Sequence, residues 1–150
     1  MVDSSYSKYM SVKLVSVIIP LRKQGLKWEA WVQSRQESGI LDGMLEFPGG
    51  KIEQGESSFQ AAARELLEEV SVEVSPNDLT LFQVTKHDYA DRKVCLYFHL
   101  LKADSEHNGW NRGQWCELDA IPNKLLAANQ PIVENLVKYL AEEAQLGEWK

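Results

Sequence analysis

Three glutamates, Glu65, Glu68 and Glu69, stand among the five residues after Arg64, and Gly49-Gly50-Lys51 lies a short way upstream. Carboxylates this close repel one another unless water screens them or a hard divalent cation draws their oxygens together. The glycine pair allows backbone conformations and close approaches that a side chain forbids. A loop, a cation site and a lysine in one place suit a cation-assisted reaction on an anionic substrate. The plainer alternative is a solvated acidic helix face, with Arg64 paired to Glu68 at the i,i+4 spacing.

These residues need a scaffold, and the pattern supplies one. Ser57 followed three residues later by Gln60 fits a capping box, and Ser58 to Val70 holds strong helix formers without Gly or Pro, which predicts a helix. At about 100° per residue, Glu65, Glu68 and Glu69 share one face, while Phe59, Ala62, Ala63, Leu66 and Val70 fall on another. Upstream, Val12 to Leu21 reads as a strand, Arg22 to Lys27 with Gly25 as a hairpin turn, and Trp28 to Arg35 as the partner strand. Gln36 to Gly43 is a polar loop, and Met44 to Phe47 a short apolar stretch running into a Pro48-Gly49-Gly50 loop. Downstream, Leu79 to Tyr89 and Lys93 to Lys102 are strands around Ala90-Asp91-Arg92, followed by a polar loop, Asp104 to Arg112, and a short strand within Gly113 to Leu118. Pro131 fits the first position of a last helix, in which Ile132, Val133, Leu136, Val137 and Leu140 form one apolar stripe. We expect a loose tail over residues 1–11 and a single mixed α/β domain over 12–146.

Composition narrows the function. The chain has 150 residues, a formal charge of −6, 44% hydrophobic and 25% charged residues, the balance of one globular domain with no room for two catalytic ones. A chain this long buries roughly 70% of its unfolded surface, so a bound metal would serve chemistry and not the core. No segment reaches the ~20 apolar residues of a membrane span. The run Leu14 to Leu21 contains Ser16 and Pro20 and has no small-residue cleavage site behind it, so it reads as a buried strand and not as a signal peptide. Cys95 and Cys116 form no CxxC pair and no disulfide framework, which suits a reducing cytoplasm. The net acidity disfavours a stable complex with a nucleic-acid backbone. His87, His99 and His107 lack metal-ligand spacing and read as ordinary strand or loop residues.

The block Gly50-Lys-Ile-Glu-Gln-Gly-Glu56-Ser-Ser-Phe-Gln-Ala-Ala-Ala-Arg64-Glu65-Leu66-Leu-Glu68-Glu69-Val-Ser71-Val72 resembles the Nudix box, G-x5-E-x7-R-E-U-x-E-E-x-G-U, where U is aliphatic. Every charged position matches, and Ser71 alone departs, standing where the family has Gly. That position lies just past the helix end, where a left-handed backbone disfavours a residue with a Cβ by roughly 1 kcal/mol; we expect at most a locally altered turn. The resemblance implies an α/β/α sandwich with a mixed central β-sheet. It implies hydrolysis of a nucleoside diphosphate linked to another group, with Mg²⁺, or Mn²⁺ in its place, held by Glu65, Glu68 and Glu69. By the same resemblance the Gly49 carbonyl adds a metal ligand, Arg64 orients the carboxylates, Lys51 contacts phosphate oxygens, and Glu56 braces the loop against the helix. The acceptor of the water's proton stays open between Glu65 and a carboxylate of the Asp104 to Glu106 loop.

Outside the box, Leu45-Glu46-Phe47-Pro48-Gly49-Gly50-Lys51-Ile52-Glu53, Asp91-Arg92 and Ala128-Asn129-Gln130-Pro131 look like the mutator-type Nudix branch, the 8-oxo-dGTP pyrophosphohydrolases and their relatives. There an Asn before the last helix hydrogen-bonds the base, a Phe before the Pro-Gly-Gly turn lines its pocket, and an Arg ending the second strand contacts the nucleotide; Asn129, Phe47 and Arg35 occupy the matching places. An amide carries both donor and acceptor, so it can pair with a purine edge on which oxidation has turned N7 from acceptor to donor. Helix start, core and surface charge are the plainer roles of the three. Trp110 and Trp115 are candidates for stacking on a base, Trp115 reading rather as packing, and Glu106 is nearest to the extra metal-binding Glu of that branch. The implied reaction is Mg²⁺-dependent hydrolysis of a nucleoside triphosphate, 8-oxo-dGTP foremost, to monophosphate and pyrophosphate. The alternatives are a nucleoside diphosphate sugar, a dinucleotide or an RNA 5′ end as substrate, or a catalytically silent nucleotide-binding domain.

Overall fold

A computed structural model describes residues 12–35, 43–104, 106–121, 125 and 129–146. Their elements run β1 (Val12–Gln24), β2 (Lys27–Ser34), β3 (Leu45–Glu46), β4 (Gly49–Lys51), α1 (Ser58–Val70), β5 (Leu79–Asp88), β6 (Lys93–Lys102), β7 (Gln114–Glu117) and α2 (Gln130–Leu146). The sheet follows the path β3-β2-β1-β6-β5, with β4 on β1 and β7 on β2. It is mixed, because β1 and β6 pair in parallel from Val12↔Lys93 to Leu21↔Lys102 while the other ladders are antiparallel. β1 is long enough to carry β4 at Val15–Val17 and β2 at Leu21–Gln24 along the edge opposite β6.

Alternation along the strands sorts two cores. Val17, Ile19 and Leu21 of β1, Ala30 and Val32 of β2, and Val94, Leu96, Phe98 and Leu100 of β6 pack with Ile132, Leu136 and Leu140 of α2. The intervening residues Ile18, Trp31 and Leu101 pack on the opposite face with Ala62, Leu66 and Val70 of α1. Helix, sheet and helix therefore form the three expected layers. Ala61 is also buried, so the apolar face of α1 is wider than the sequence pattern predicts, and Val137, at the edge of the α2 stripe, stays exposed.

Several boundaries differ from expectation for local reasons. The predicted six-residue turn after Leu21 contracts to Gly25 and Leu26, because the charged residues before it continue the ladder: Arg22 lies opposite Glu29 and bonds it at 2.6 Å. Gly25 takes the positive φ of +63° that this tight turn requires. Gly49 and Gly50 are not loop but strand β4. A Cβ on Gly49 would collide with the backbone of Ser16 and Val17, so the missing side chain is what lets β4 pair so closely with β1. The Asp104 to Arg112 loop contains a 3-10 turn, Asn108–Arg112, anchored by the buried Trp110. That indole donates to the Asp104 carbonyl at 2.6 Å, and the Trp110 carbonyl accepts from Trp31 Nε1 at 2.7 Å. Trp115 packs edge-on against Trp110, so both tryptophans serve the core. Pro131 is the second residue of α2. The tail over 1–11 and residues 36–42 of the predicted loop lie outside the described residues. Among the described residues no helix is long and apolar enough to cross a membrane, and both cysteines are free.

Candidate active site

The chemistry-bearing helix starts as the sequence predicts. The Ser57 hydroxyl accepts from the Gln60 amide while the Gln60 side chain accepts from the Ser57 amide, satisfying two donors that a helix start leaves open. Its far end is closed by Ser71 in the left-handed conformation, φ 62°, with its amide donating to Leu67 O. The turn that Gly makes freely is thus kept by a residue with a Cβ. Ser71→Gly is therefore expected to stabilise the protein by about 1 kcal/mol, seen as a melting midpoint about 2–4 °C higher with unchanged turnover.

Between these ends, Arg64 organises the acidic residues. Its Nε and Nη2 donate to the two carboxylate oxygens of Glu56 at 2.7 and 2.9 Å, and Nη2 also reaches the Lys51 carbonyl at 2.9 Å. Its Nη1 donates to Glu65 at 2.9 Å and to Glu68 at 3.2 Å. The two-pronged bond to Glu56 is the strong arrangement for a guanidinium and a carboxylate. It holds the Glu56 carboxyl below its usual range, and Glu56, ahead of Glu65, pushes the Arg64 guanidinium further up. Glu56 also accepts the Glu53 amide at 2.8 Å, so the loop after β4 is tied to the helix as the resemblance implies.

The three helix glutamates differ in surroundings. Glu68 leaves 58% of its side chain in water, whereas Glu65 leaves 15% and rests against Gly50, where a Cβ would stand 2.6 Å from Glu65 Oε2. Glu69 accepts from Gln33 Nε2 at 2.8 Å. Burial pushes its carboxyl up to about 7, with Glu65 and Glu46 adding repulsion against the opposing bond from Gln33. Neither Gln33 nor Glu46 stands out in the sequence. The available signal is alternation: Glu46 lies between the buried Leu45 and Phe47, and so points to the opposite face of its strand.

In the ion-free protein a carboxyl with a raised folded value contributes most below its unfolded value of 4.5, and that contribution is lost as pH rises through about 7. Glu69→Gln keeps an acceptor for Gln33 and carries no charge. At pH 8, in chelator, the variant should exceed the parent in stability by on the order of 1–3 kcal/mol, a gap that closes near pH 5. Urea unfolding at the two pH values measures it.

Among the described residues no three carboxylate, imidazole or thiolate groups are gathered into a coordination sphere, because Arg64 and Gln33 hold the glutamates. The donor set nevertheless fits a hard divalent cation: carboxylate oxygens that repel one another, one carboxyl pushed up to about 7 and another seated directly on the backbone of Gly50. Lys51 is exposed at the end of β4 next to this cluster.

The candidate base-binding residues lie toward β3. Arg35, just past β2, donates to Glu46 at 3.3 Å, so Glu46 links it to the neighbourhood of Glu69. Phe47 is buried in the α2-side core, and Asn129 is 6% exposed immediately before α2. Gln130 Nε2 donates to the Leu125 carbonyl at 2.7 Å, and Leu125 bridges Leu45, which joins the start of α2 to β3. Glu106 is exposed, its amide turned onto Asp104 at 3.0 Å.

The NUDIX domain family model matches residues 21–135. The chain is 34% identical to the 8-oxo-dGTP diphosphatase of Escherichia coli strain K12 over 113 residues, covering 72% of this chain and 85% of that protein. In fold it is similar to the MutT NUDIX hydrolase of Burkholderia pseudomallei, with a TM-score of 0.67 at 21% identity over 83% of this chain and 97% of that one. The Ap4A hydrolase of C. elegans is similar in the same way, at 0.66 and 21% identity over 86% and 98%. With the family match covering β2 to β7 and the box whose arginine draws its glutamates together, this chain belongs to the NUDIX domain family and is a Nudix hydrolase.

Proposed function

We propose that the protein hydrolyses a nucleoside triphosphate to a nucleoside monophosphate and pyrophosphate, with 8-oxo-dGTP as the preferred substrate and Mg²⁺, or Mn²⁺ in its place, as cofactor. The observation that carries the reading is the paired Arg64, Glu56, Glu65 and Glu68 arrangement beside a half-buried Glu69. The 34% identity to a diphosphatase of that name supports the substrate. Glu65, Glu68 and Glu69, with the Gly49 carbonyl, would hold the cation, which when bound supplies charge neutralisation at the phosphates and a more acidic water. Arg64 keeps two of those carboxylates facing the same volume, and Glu56 keeps Arg64 from swinging away. Lys51 contributes a positive charge to the phosphate chain. Water adds to phosphorus, a bridging P–O bond breaks, and the water's proton passes to a carboxylate, for which the nearly buried Glu65 is our assignment. Arg35, Phe47 and Asn129 contact the nucleotide. The free cysteines suit a cytoplasmic location.

The test is a substrate panel of 8-oxo-dGTP, dGTP, CTP, ADP-ribose and GDP-mannose with Mg²⁺, the products separated by chromatography. Selective release of 8-oxo-dGMP and pyrophosphate is expected. Turnover of ADP-ribose or GDP-mannose alone would move the substrate class, and silence with both Mg²⁺ and Mn²⁺ would overturn the reading. Asn129→Ala should lower the preference for 8-oxo-dGTP over dGTP by about tenfold, the value of one or two buried hydrogen bonds, with a smaller effect on hydrolysis itself.

A further inference from the structure

Among the described residues, two polar residues are fully buried on the α1-facing side of the sheet, Ser16 of β1 and His99 of β6. Buried polar groups are costly unless bonded, and both of these are bonded to Ser58, the first residue of α1. Ser16 Oγ donates to the Ser58 carbonyl at 2.6 Å, and His99 Nε2 meets Ser58 Oγ at 3.0 Å. The other ring nitrogen, Nδ1, lies 3.1 Å from the Val17 carbonyl, which can only accept. Nδ1 therefore carries the hydrogen, Nε2 is the acceptor, and the Ser58 hydroxyl donates to it. Burial lowers the imidazole's affinity for a second proton, in keeping with this neutral tautomer. Phe59 closes the site, edge-on to the ring at 5.0 Å.

The β1 residues in this network are those that pair with the glycine strand: Ser16 lies opposite Gly50, and Val17 opposite Gly49. Ser58 and Glu65 are seven residues apart, so they share one face of α1, about 10 Å apart along its axis. Glu65, in turn, rests on Gly50. One end of the helix face is thus bonded to the strand next to β4, and the other end carries a carboxylate seated on β4 itself. We propose that His99, together with Ser16, is a positioning residue for the reaction: through Ser58 it fixes the rotation and height of α1, and hence where the Glu65 carboxylate sits over Gly50. This rests on the hydrolase reading above.

The test uses the full chain with His99→Leu, which fills the space without an acceptor, Ser58→Ala, which removes the partner at a less buried place, and His99→Gln, which restores an acceptor. Turnover of 8-oxo-dGTP and the dissociation constant for Mn²⁺ alone, from electron paramagnetic resonance titration, are both measured below the melting midpoint of every variant. His99→Leu and Ser58→Ala should each lower kcat about tenfold, with the nucleotide KM within about twofold and Mn²⁺ binding weakened about fivefold, effects typical of groups that orient metal-binding residues. The double variant should be no worse than the single ones, and His99→Gln should recover most of both quantities. Folded variants with parental kcat and Mn²⁺ affinity, or losses that add in the double variant, overturn the positioning role while leaving the hydrolase reading intact. A parent chain that neither hydrolyses nucleotide nor binds Mn²⁺ overturns both.

Discussion

Glu65→Gln is expected to lower kcat by about 10²-fold or more, the scale of losing one preorganised charged group at a reacting phosphate, while the protein stays folded. The amide is nearly the same size, still accepts from Arg64 Nη1, and still fits over Gly50. It gives up the negative charge that a cation needs and the basicity that a water proton needs. Removing that charge also relieves Glu69, which Glu65 pushes upward in addition to burial, so the Glu69 carboxyl should titrate lower in the variant, though still above 4.5 because burial is the larger cause. Carboxyl titration by NMR in the absence of metal reads this directly. Glu68→Gln should cost less, since most of that side chain is already in water. Full activity in Glu65→Gln would place the chemistry elsewhere.

The second large effect separates two adjacent glycines. At Gly50 an added methyl would meet the carboxylate end of Glu65, a flexible group that can move aside; at Gly49 it would meet the carbonyl and Cα of the central strand β1, which cannot. Gly50→Ala should therefore fold with a loss of about 1 kcal/mol or less yet lose about 10- to 100-fold in kcat, because the displaced group is the one that must be placed accurately. Gly49→Ala should lose about 2–4 kcal/mol of stability, as expected for overpacking against backbone. Thermal melts beside steady-state kinetics distinguish the two. Equal effects on both quantities at both positions would mean that the glycines serve only the pairing of β4 with β1.

The helix was legible because its signals are local: Ser57 and Gln60 cap it, and its bounds, Ser58–Val70, are those the composition predicts. The charged residues of the box were legible through their match to the family motif, and of the pairs that Arg64 makes with Glu56, Glu65 and Glu68 only the last follows from helix spacing. What escaped depends on neighbours distant in sequence. Gly49–Lys51 has no β-forming composition, and it is a strand because the missing side chain at Gly49 lets β1 lie directly beside it. Gln33 and Glu46 resemble any polar residue on a half-exposed strand until β2 and β3 bring them to Glu69. His99 reads as an ordinary strand residue, and only the neighbouring β1, through Val17, and the packing of α1, through Ser58, give its two nitrogens partners. Periodicity also treated the three helix glutamates alike, although one is mostly in water and another half-buried.

The central seam of the sheet has a consequence for how the protein is made. Val17 and His99 are 82 residues apart in the chain, yet they meet across the parallel β1–β6 ladder. The β1–β2 and β5–β6 hairpins can close early because their partners are neighbours, whereas the seam must bear the loop-closure entropy of the whole segment between β1 and β6 before it gains any contact. A chain emerging from the ribosome thus carries β1 with one long edge of unpaired backbone donors and acceptors open until Lys102 has been synthesised, and the interval before that edge is covered is when it is most exposed to aggregation and most dependent on chaperones.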